Sequence, residues 1–292
     1  MRALRDAGVP ALVAVLAAGC GGGDAPDAAE AEAALARAPE ATAEAGSAAV
    51  ELATTMTMEG VDEPLDVRGE GTLDLDDELS RIELDMSEMA SFRTETPSAP
   101  ELWRGTVIYT GDATLMKLPA FNSLTPEPDK WIQWTGDALV REGGAQFSAP
   151  DPIEFLAFAR ALGDDVEVVG TEDLGGAETT HVRGEVAVDD LPAAASEAGA
   201  REAQAYAGRL KAAGVETFEL DVWLDGDDRI RRLEASYDDM EVSAAERADL
   251  VSTLLLTDFG VDPAIDVPPS DEIIDIGDVI GRGPEETEHS EE

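Results

Sequence analysis

Few residues in this chain could carry covalent chemistry. Cysteine occurs once, at Cys20, and histidine twice, at His181 and His289, among 292 residues. One thiol excludes an intrachain disulfide and a cysteine-based zinc site. His289 is among the last four residues. His181 falls in a strand-like run, on the face shared with Arg183 and Glu185. That face is expected to point to solvent, and a general base also needs an orienting acid and a nucleophile. No Gly-x-Ser-x-Gly is present. The tetrad Asp225-Gly226-Asp227-Asp228 has the acidity of a calcium loop, but Arg229 follows where further oxygen ligands would be needed, so a hairpin turn is expected. Asp76-Asp77-Glu78 reads as a strand connection. The expectation is therefore a non-enzyme with no catalytic residues, no metal site and no cofactor.

Charge narrows the partners. Asp and Glu number 64 against 20 Lys and Arg, a formal net charge of -44. Nucleic acid is excluded, because phosphate binding needs clustered cations, and so is docking on anionic lipid through a basic patch. The hydrophobic share of 43% separates the chain from a disordered polyacid.

The lone cysteine has a context. Arg2 and Arg5 precede an apolar run that ends in Leu16-Ala17-Ala18-Gly19-Cys20. This resembles the lipobox of bacterial lipoproteins, with Ala17 where Leu is usual. The resemblance implies a signal peptide over residues 1–19 and a diacylglyceryl thioether on Cys20. The protein is then expected at the extracytoplasmic face of the cell membrane, held by that lipid anchor. Residues 20–29, starting Gly21-Gly22-Gly23, read as a tether whose reach is roughly 17 Å. The body is expected over residues 30–280 as one domain, the protein as a monomer, with a disordered acidic tail over 281–292.

These features must be positioned by a sheet. Val50 to Met58, Leu65 to Leu75 and Ile82 to Met86 alternate apolar and polar residues, as do Phe218 to Asp225. Period two marks antiparallel strands with one wet face and one apolar face. Val67, Leu73, Ile82, Leu84, Leu220 and Val222 are expected on the inner face. Gly69 and Gly71 share it, as a strongly curved sheet requires. Hairpins are expected near Gly111-Asp112 and Gly175-Gly176, and strands over 251–259 and 261–267. A helical start within 244–256 stays open. Helices are expected over 28–37, stopping before Pro39, over 152–162, and over 191–213. The second opens with Asp151-Pro152-Ile153-Glu154, an N-cap acid followed by Pro and a capping-box Glu.

The order of several segments resembles the LolA-like superfamily, in particular the actinobacterial LppX/LprG-type lipoproteins. They are Ile108-Tyr109-Thr110-Gly111-Asp112, Asp129-Lys130-Trp131, residues 151–162, Val222 through Asp227, and Asp258-Phe259-Gly260 with Pro268-Pro269. The likeness spans roughly residues 45–275. It implies an α+β half-barrel, a curved antiparallel sheet with helices against its concave face, enclosing an apolar cavity for acyl chains. Candidate cavity residues are Met56, Met58, Val67, Leu73, Ile82, Leu84, Phe155, Leu156, Phe158, Leu220 and Val222. Three functions stay open. One is binding or carrying a lipid or other apolar molecule; a second is an envelope interaction module with an ordinary packed core; the third is a hydrolase, which loss of an activity on changing His181 would reveal. The charge of -44 departs from what that resemblance implies for a protein approaching a membrane.

Overall fold

Among the described residues, twelve segments are strands. These are β1 (Ser47–Met58), β2 (Leu65–Asp74), β3 (Leu79–Asp85), β4 (Arg104–Tyr109), β5 (Thr114–Lys117) and β6 (Trp131–Trp134). The second half supplies β7 (Glu167–Leu174), β8 (Ala177–Ala187), β9 (Thr217–Asp225), β10 (Ile230–Ser243), β11 (Glu246–Phe259) and β12 (Ile273–Asp275). The structure is a computed structural model, and it describes residues 27–61, 63–90, 99–111, 113–123, 125–134, 151–162, 166–196, 199–243 and 246–277. Cys20, most of the expected tether, Asp112 and the tail over 281–292 lie outside the described residues.

The strands form one sheet in the order β12-β6-β5-β4-β3-β2-β1-β11-β10-β9-β8-β7. Two meanders, β1 to β6 and β7 to β11, are fused where β1 pairs antiparallel with β11. The sheet is open and curled, an α+β half-barrel. The curl has a local cause in β2. A β-carbon at Gly71 would lie 1.9 Å from the Arg81 carbonyl oxygen, and one at Gly69 would lie 2.6 Å from Ile82 Cγ2. The backbones approach more closely there than any side chain allows.

The expected faces hold. Val67 stands opposite Thr54, Leu73 opposite Ala48, and Leu84 opposite Gly69. Leu220 and Val222 face the same side as Ala235 and Leu233. The side so defined is the one the helices cover, because Leu35 and Phe158 share a core cluster with Leu73, Ile82, Leu220 and Leu233.

The helices depart from expectation in three ways. Helix α1 spans Ala28–Ala43 and runs through Pro39 instead of ending before it. It therefore starts inside the stretch read as tether, capped by Asp27, which accepts from the Glu30 amide at 2.9 Å. An interior proline costs roughly 3 kcal/mol. Burial of Ala31, Leu35, Ala38 and Pro39 offsets that, and Thr42 ties the last turn down by accepting from the Ile230 amide at 2.9 Å. After the short α2 (Pro119–Asn122), α3 covers only Pro152–Ala157 and tightens into a 3-10 turn at Phe158–Ala161. Its Asp151 cap is as expected, accepting from the Ile153 amide at 3.0 Å. Glu154 instead accepts from Ser196 Oγ at 2.8 Å, across to another segment. Finally, the single helix expected over 191–213 is two, α4 (Leu191–Ala194) and α5 (Ala200–Ala212). Ala195 turns extended, with ψ 160°.

The C-terminal reading holds in part. Residues 246–259 are strand, as expected for 251–259, and no helix starts there. Residues 261–267 form none of the sheet. Ser47 Oγ and Thr72 Oγ1 hold the carbonyls of Val261 and Pro263 at 2.6 and 2.9 Å. Prolines at 263, 268 and 269 donate no ladder bonds, which suits an irregular strap. The last strand, β12, follows the strap and pairs parallel with β6, the one parallel ladder among the described strands.

Candidate functional site

The inner face divides by cover. At one end, α1, α3, α4 and α5 close over the sheet. Leu73, Ile82, Phe155, Leu156, Phe158, Leu220 and Val222 all belong to this single core cluster. Phe158 sits within 5.4 to 6.3 Å, ring centre to ring centre, of Phe155, Tyr206 and Phe218. At the opposite end of β1, Met56 and Met58 form a separate small cluster with Val242 and Ala248. Between the two lies a strip of half-buried side chains. Leu52 and Thr54 on β1, Leu65 and Val67 on β2, Leu84 on β3 and Leu250 on β11 all have this intermediate exposure. Register makes them neighbours, since Leu52 faces Gly69, Gly69 faces Leu84, Thr54 faces Val67, and Met56 faces both Leu65 and Leu250. Of the sequence candidates, Val67 and Leu84 lie in the strip, Met56 and Met58 at its end, and the other seven within the covered core. Leu52 and Leu250 were missed, although β1 alternation pointed Leu52 inward.

The strip is electrically plain. The inward positions of β1 to β3 carry no Asp, Glu, Lys or Arg. The polar group bordering the strip is a hydroxyl pair, Thr54 Oγ1 and Ser252 Oγ, 3.2 Å apart. The guanidiniums of these strands point outward. Arg68 pairs with Asp66 at 2.6 Å, Arg81 with Glu83 at 2.7 Å and Arg104 with Asp85 at 2.8 Å. Such exposed bridges contribute roughly 0 to 1 kcal/mol each. Their larger effect is to keep cations off the inner face.

The outer face holds a surprise at His181. It shares its side with Arg183, as expected, but it is buried, with only 9% of its surface exposed. Trp223 stands opposite on β9 and stacks on the imidazole at 4.1 Å and 12°. Arg232 of β10 lies 4.6 Å from the Trp223 ring. Asp221 Oδ1 meets His181 Nε2 at 2.5 Å and accepts from Arg183 Nε at 2.7 Å. Glu172 accepts from the Trp223 indole and stands 3.7 Å from His181 Nδ1. Burial pushes the Asp221 carboxyl up, but the bonds from His181 and Arg183 outweigh it and hold the group below the usual aspartate value. A histidine–aspartate pair invites a catalytic reading, which would need a free nucleophile beside it. The adjacent Thr179 hydroxyl is engaged with the Glu172 carbonyl at 2.8 Å. The cluster fastens β7, β8, β9 and β10 together. Its signal in the sequence was Trp223, a large apolar group placed among outward-facing acids.

The acidic turn is a hairpin. Asp225 Oδ1 accepts from the Asp227 and Arg229 amides at 3.0 and 3.1 Å, and Arg229 bridges back to Asp225 and Asp227. Among the described residues no group of three or more His, Cys, Asp or Glu is arranged to hold a metal ion, and no helix is long and apolar enough to cross a membrane.

No family model matches the chain. It is 28% identical over 165 residues to an uncharacterized 31.2 kDa protein of Streptomyces griseus, encoded in the rplA–rplJ intergenic region. That alignment covers 52% of this chain, and the chain spans about half the length (50%) of the curated relative it matches. Among solved structures, the fold is similar to the lipoprotein LppX of Mycobacterium tuberculosis, with 14% identity and a TM-score of 0.43, covering 80% of this chain and 99% of LppX. LprF of Mycobacterium bovis matches with 12% identity and a TM-score of 0.40, over 84% and 98% of the two chains. A LolA-superfamily protein of Nitrosomonas europaea matches with 10% identity and a TM-score of 0.30, over 82% and 94%.

Proposed function

We propose that this protein is a lipid-anchored, extracytoplasmic binder of an uncharged apolar molecule, a lipid foremost, taken up on the inner face of the half-barrel. The observation that carries the reading is the half-buried, charge-free strip of Leu52, Val67, Leu84 and Leu250 beside a methionine cluster. Apolar side chains left half-wet on a curved inner face gain when an apolar chain covers them. An acyl chain of about 16 carbons moved from water contributes on the order of 12 kcal/mol gross. Flexible thioethers at Met56 and Met58 suit chains of varied shape. An anionic headgroup would meet no cation on the strip and a net charge of -44 around it. Binding needs no covalent step, so no catalytic residue is assigned.

Mass spectrometry of lipid co-purified with residues 28–292, together with uptake of a fluorescent acylglycerol and a fluorescent fatty acid, tests the reading. Uptake of the neutral probe in preference to the anionic one is expected. No co-purified lipid and no uptake of either would leave the interaction module. The anchor is tested separately. Cys20→Ala should block lipoprotein processing and release from the membrane fraction any chain that is still cleaved. Normal processing and membrane retention of that variant would remove the anchor.

A further inference from the structure

One buried titratable group has no part in the binding reading. Glu154 of α3 is only 8% exposed. Its Oε1 accepts from Ser196 Oγ at 2.8 Å, and Ser196 Oγ in turn accepts from the Gly199 amide at 2.9 Å. Its Oε2 is buried without a hydrogen-bond partner. The carboxyl rests directly on Gly199, where an added β-carbon would lie 1.8 Å from Oε1. Gly199 is the residue before α5, and its carbonyl accepts from the Ala203 amide at 2.9 Å.

Helix α5 covers the inner face. Tyr206, Ala207 and Leu210 enter the main core, and the Tyr206 hydroxyl meets the Tyr237 hydroxyl at 2.9 Å. Tyr237 stands opposite Leu250, a strip residue. The start of this cover is thus fastened to α3 through one carboxyl.

Two charged groups act on that carboxyl. Glu78, in the turn between β2 and β3, repels its ionised form, and Arg160, in the 3-10 turn after α3, favours it. Arg160 is shared, bonding Glu40 of α1 at 3.0 Å and the Ala194 carbonyl of α4 at 3.5 Å. Asp151, the cap of α3 itself, accepts from Ser80 Oγ at 3.2 Å and from the Ile153 amide.

We propose that Glu154, Ser196 and Gly199 form a proton-controlled latch that fastens the start of α5 over the inner face, closed when Glu154 is neutral and released when it ionises. An ionised carboxylate with one oxygen unpartnered is poorly accommodated out of water. Burial, reinforced by Glu78, holds the Glu154 carboxyl above the ordinary glutamate value, against the opposing Ser196 hydroxyl and backbone and Arg160. The sign follows from linkage. The contribution of a raised acid is fully present below the ordinary glutamate value and is lost as pH rises through the raised one. The latch closes in acid and opens toward neutral pH.

Amide hydrogen exchange at Gly199 and Ala203, corrected for intrinsic rates and followed from about pH 4 to pH 8, reads the latch without any ligand. In the wild type, protection should fall by up to about tenfold per pH unit across the window, the limit for one proton. Glu154→Gln should give high, pH-independent protection, and Gly199→Ala, which displaces the carboxyl, low protection throughout. Flat protection in the wild type, or an unchanged slope in Glu154→Gln, would overturn the proposal. The 13C titration of the Glu154 carboxyl in the wild type needs no variant, and the loss of protection must level off at its midpoint; a loss that continues well beyond that midpoint overturns the latch equally. Should protection fall as expected while fluorescent acylglycerol is never taken up, the latch stands and the binding reading fails.

Discussion

Two stretches of the same inner face have the same sequence pattern and different fates. Under the helices, Leu73, Ile82, Leu220 and Val222 are packed and dry. A few residues along the same strands, Leu52, Val67 and Leu84 alternate just as regularly and stay half-exposed. The difference lies in what stands above each row. Phe155, Leu156 and Phe158 fill the space over the first, whereas in the second row Leu52 only borders the main cluster and Val67 and Leu84 lie outside it. Alternation decides which face a side chain takes; cover decides whether that face is a core or a surface. A binding reading belongs to the second row.

Charge substitution should break the comparison most sharply. Leu220→Asp buries an unpaired carboxylate and should cost on the order of 4 kcal/mol in urea unfolding. Leu84→Asp leaves its carboxylate near water and should cost about 1 kcal/mol. Equal losses would mean that the strip is as closed as the core.

Added volume sharpens the contrast at the next level. Leu156→Trp overpacks the covered end and should cost roughly 2 kcal/mol. Val67→Trp should leave stability within about 0.5 kcal/mol while abolishing uptake of fluorescent acylglycerol. If Leu156→Trp were stable and blocked uptake instead, the ligand site would be under α3.

The outer face offers a pH counterpart. Asp221 has a lowered carboxyl, so its contribution is present above the ordinary aspartate value and lost as pH falls through the lowered one. Asp221→Asn should lower stability near neutral pH by about 1 to 2 kcal/mol, discounted because Arg183 is partly exposed. It should also flatten the acid limb of the stability profile. An unchanged acid limb would show that the His181 cluster contributes little to holding β8 and β9.

Salt should act most weakly, because it acts on all regions alike. Screening beyond a Debye length of about 8 Å reduces self-repulsion at a net charge of -44. The melting temperature should rise by roughly 2 to 4 °C from low to moderate salt. A fall would mean that the outer-face ion pairs outweigh the repulsion.

Legibility followed the range of the interactions. Strand faces, the Gly175-Gly176 and Asp225 hairpins and the Asp151 cap depend on neighbours a few residues apart, and each was readable. The passage of α1 through Pro39 was not, because local propensity ends a helix there and only packing against distant strands reverses it. The break between α4 and α5 was hidden for a similar reason, since Ser196 bonds Glu154 from 42 residues away in sequence. His181 was assigned the right side and the wrong environment, because its burial comes from Trp223, 42 positions later. The parallel pairing of β12 with β6 depends on how far the 261–269 strap carries the chain, which no periodicity records.

By itself, then, the sequence determined the period-two faces, the excess of carboxylates and the glycines that let β2 approach β3. These follow from side-chain alternation and backbone sterics, which act within a few residues. Only the tertiary structure decided which inward residues are covered, which buried carboxyl meets Ser196, and which outer histidine is enclosed. Those outcomes depend on segments meeting across 40 to almost 200 positions of chain, as when the Ile230 amide finds Thr42. Burial is a property of the assembled surroundings, and a residue's own pattern carries only half of it.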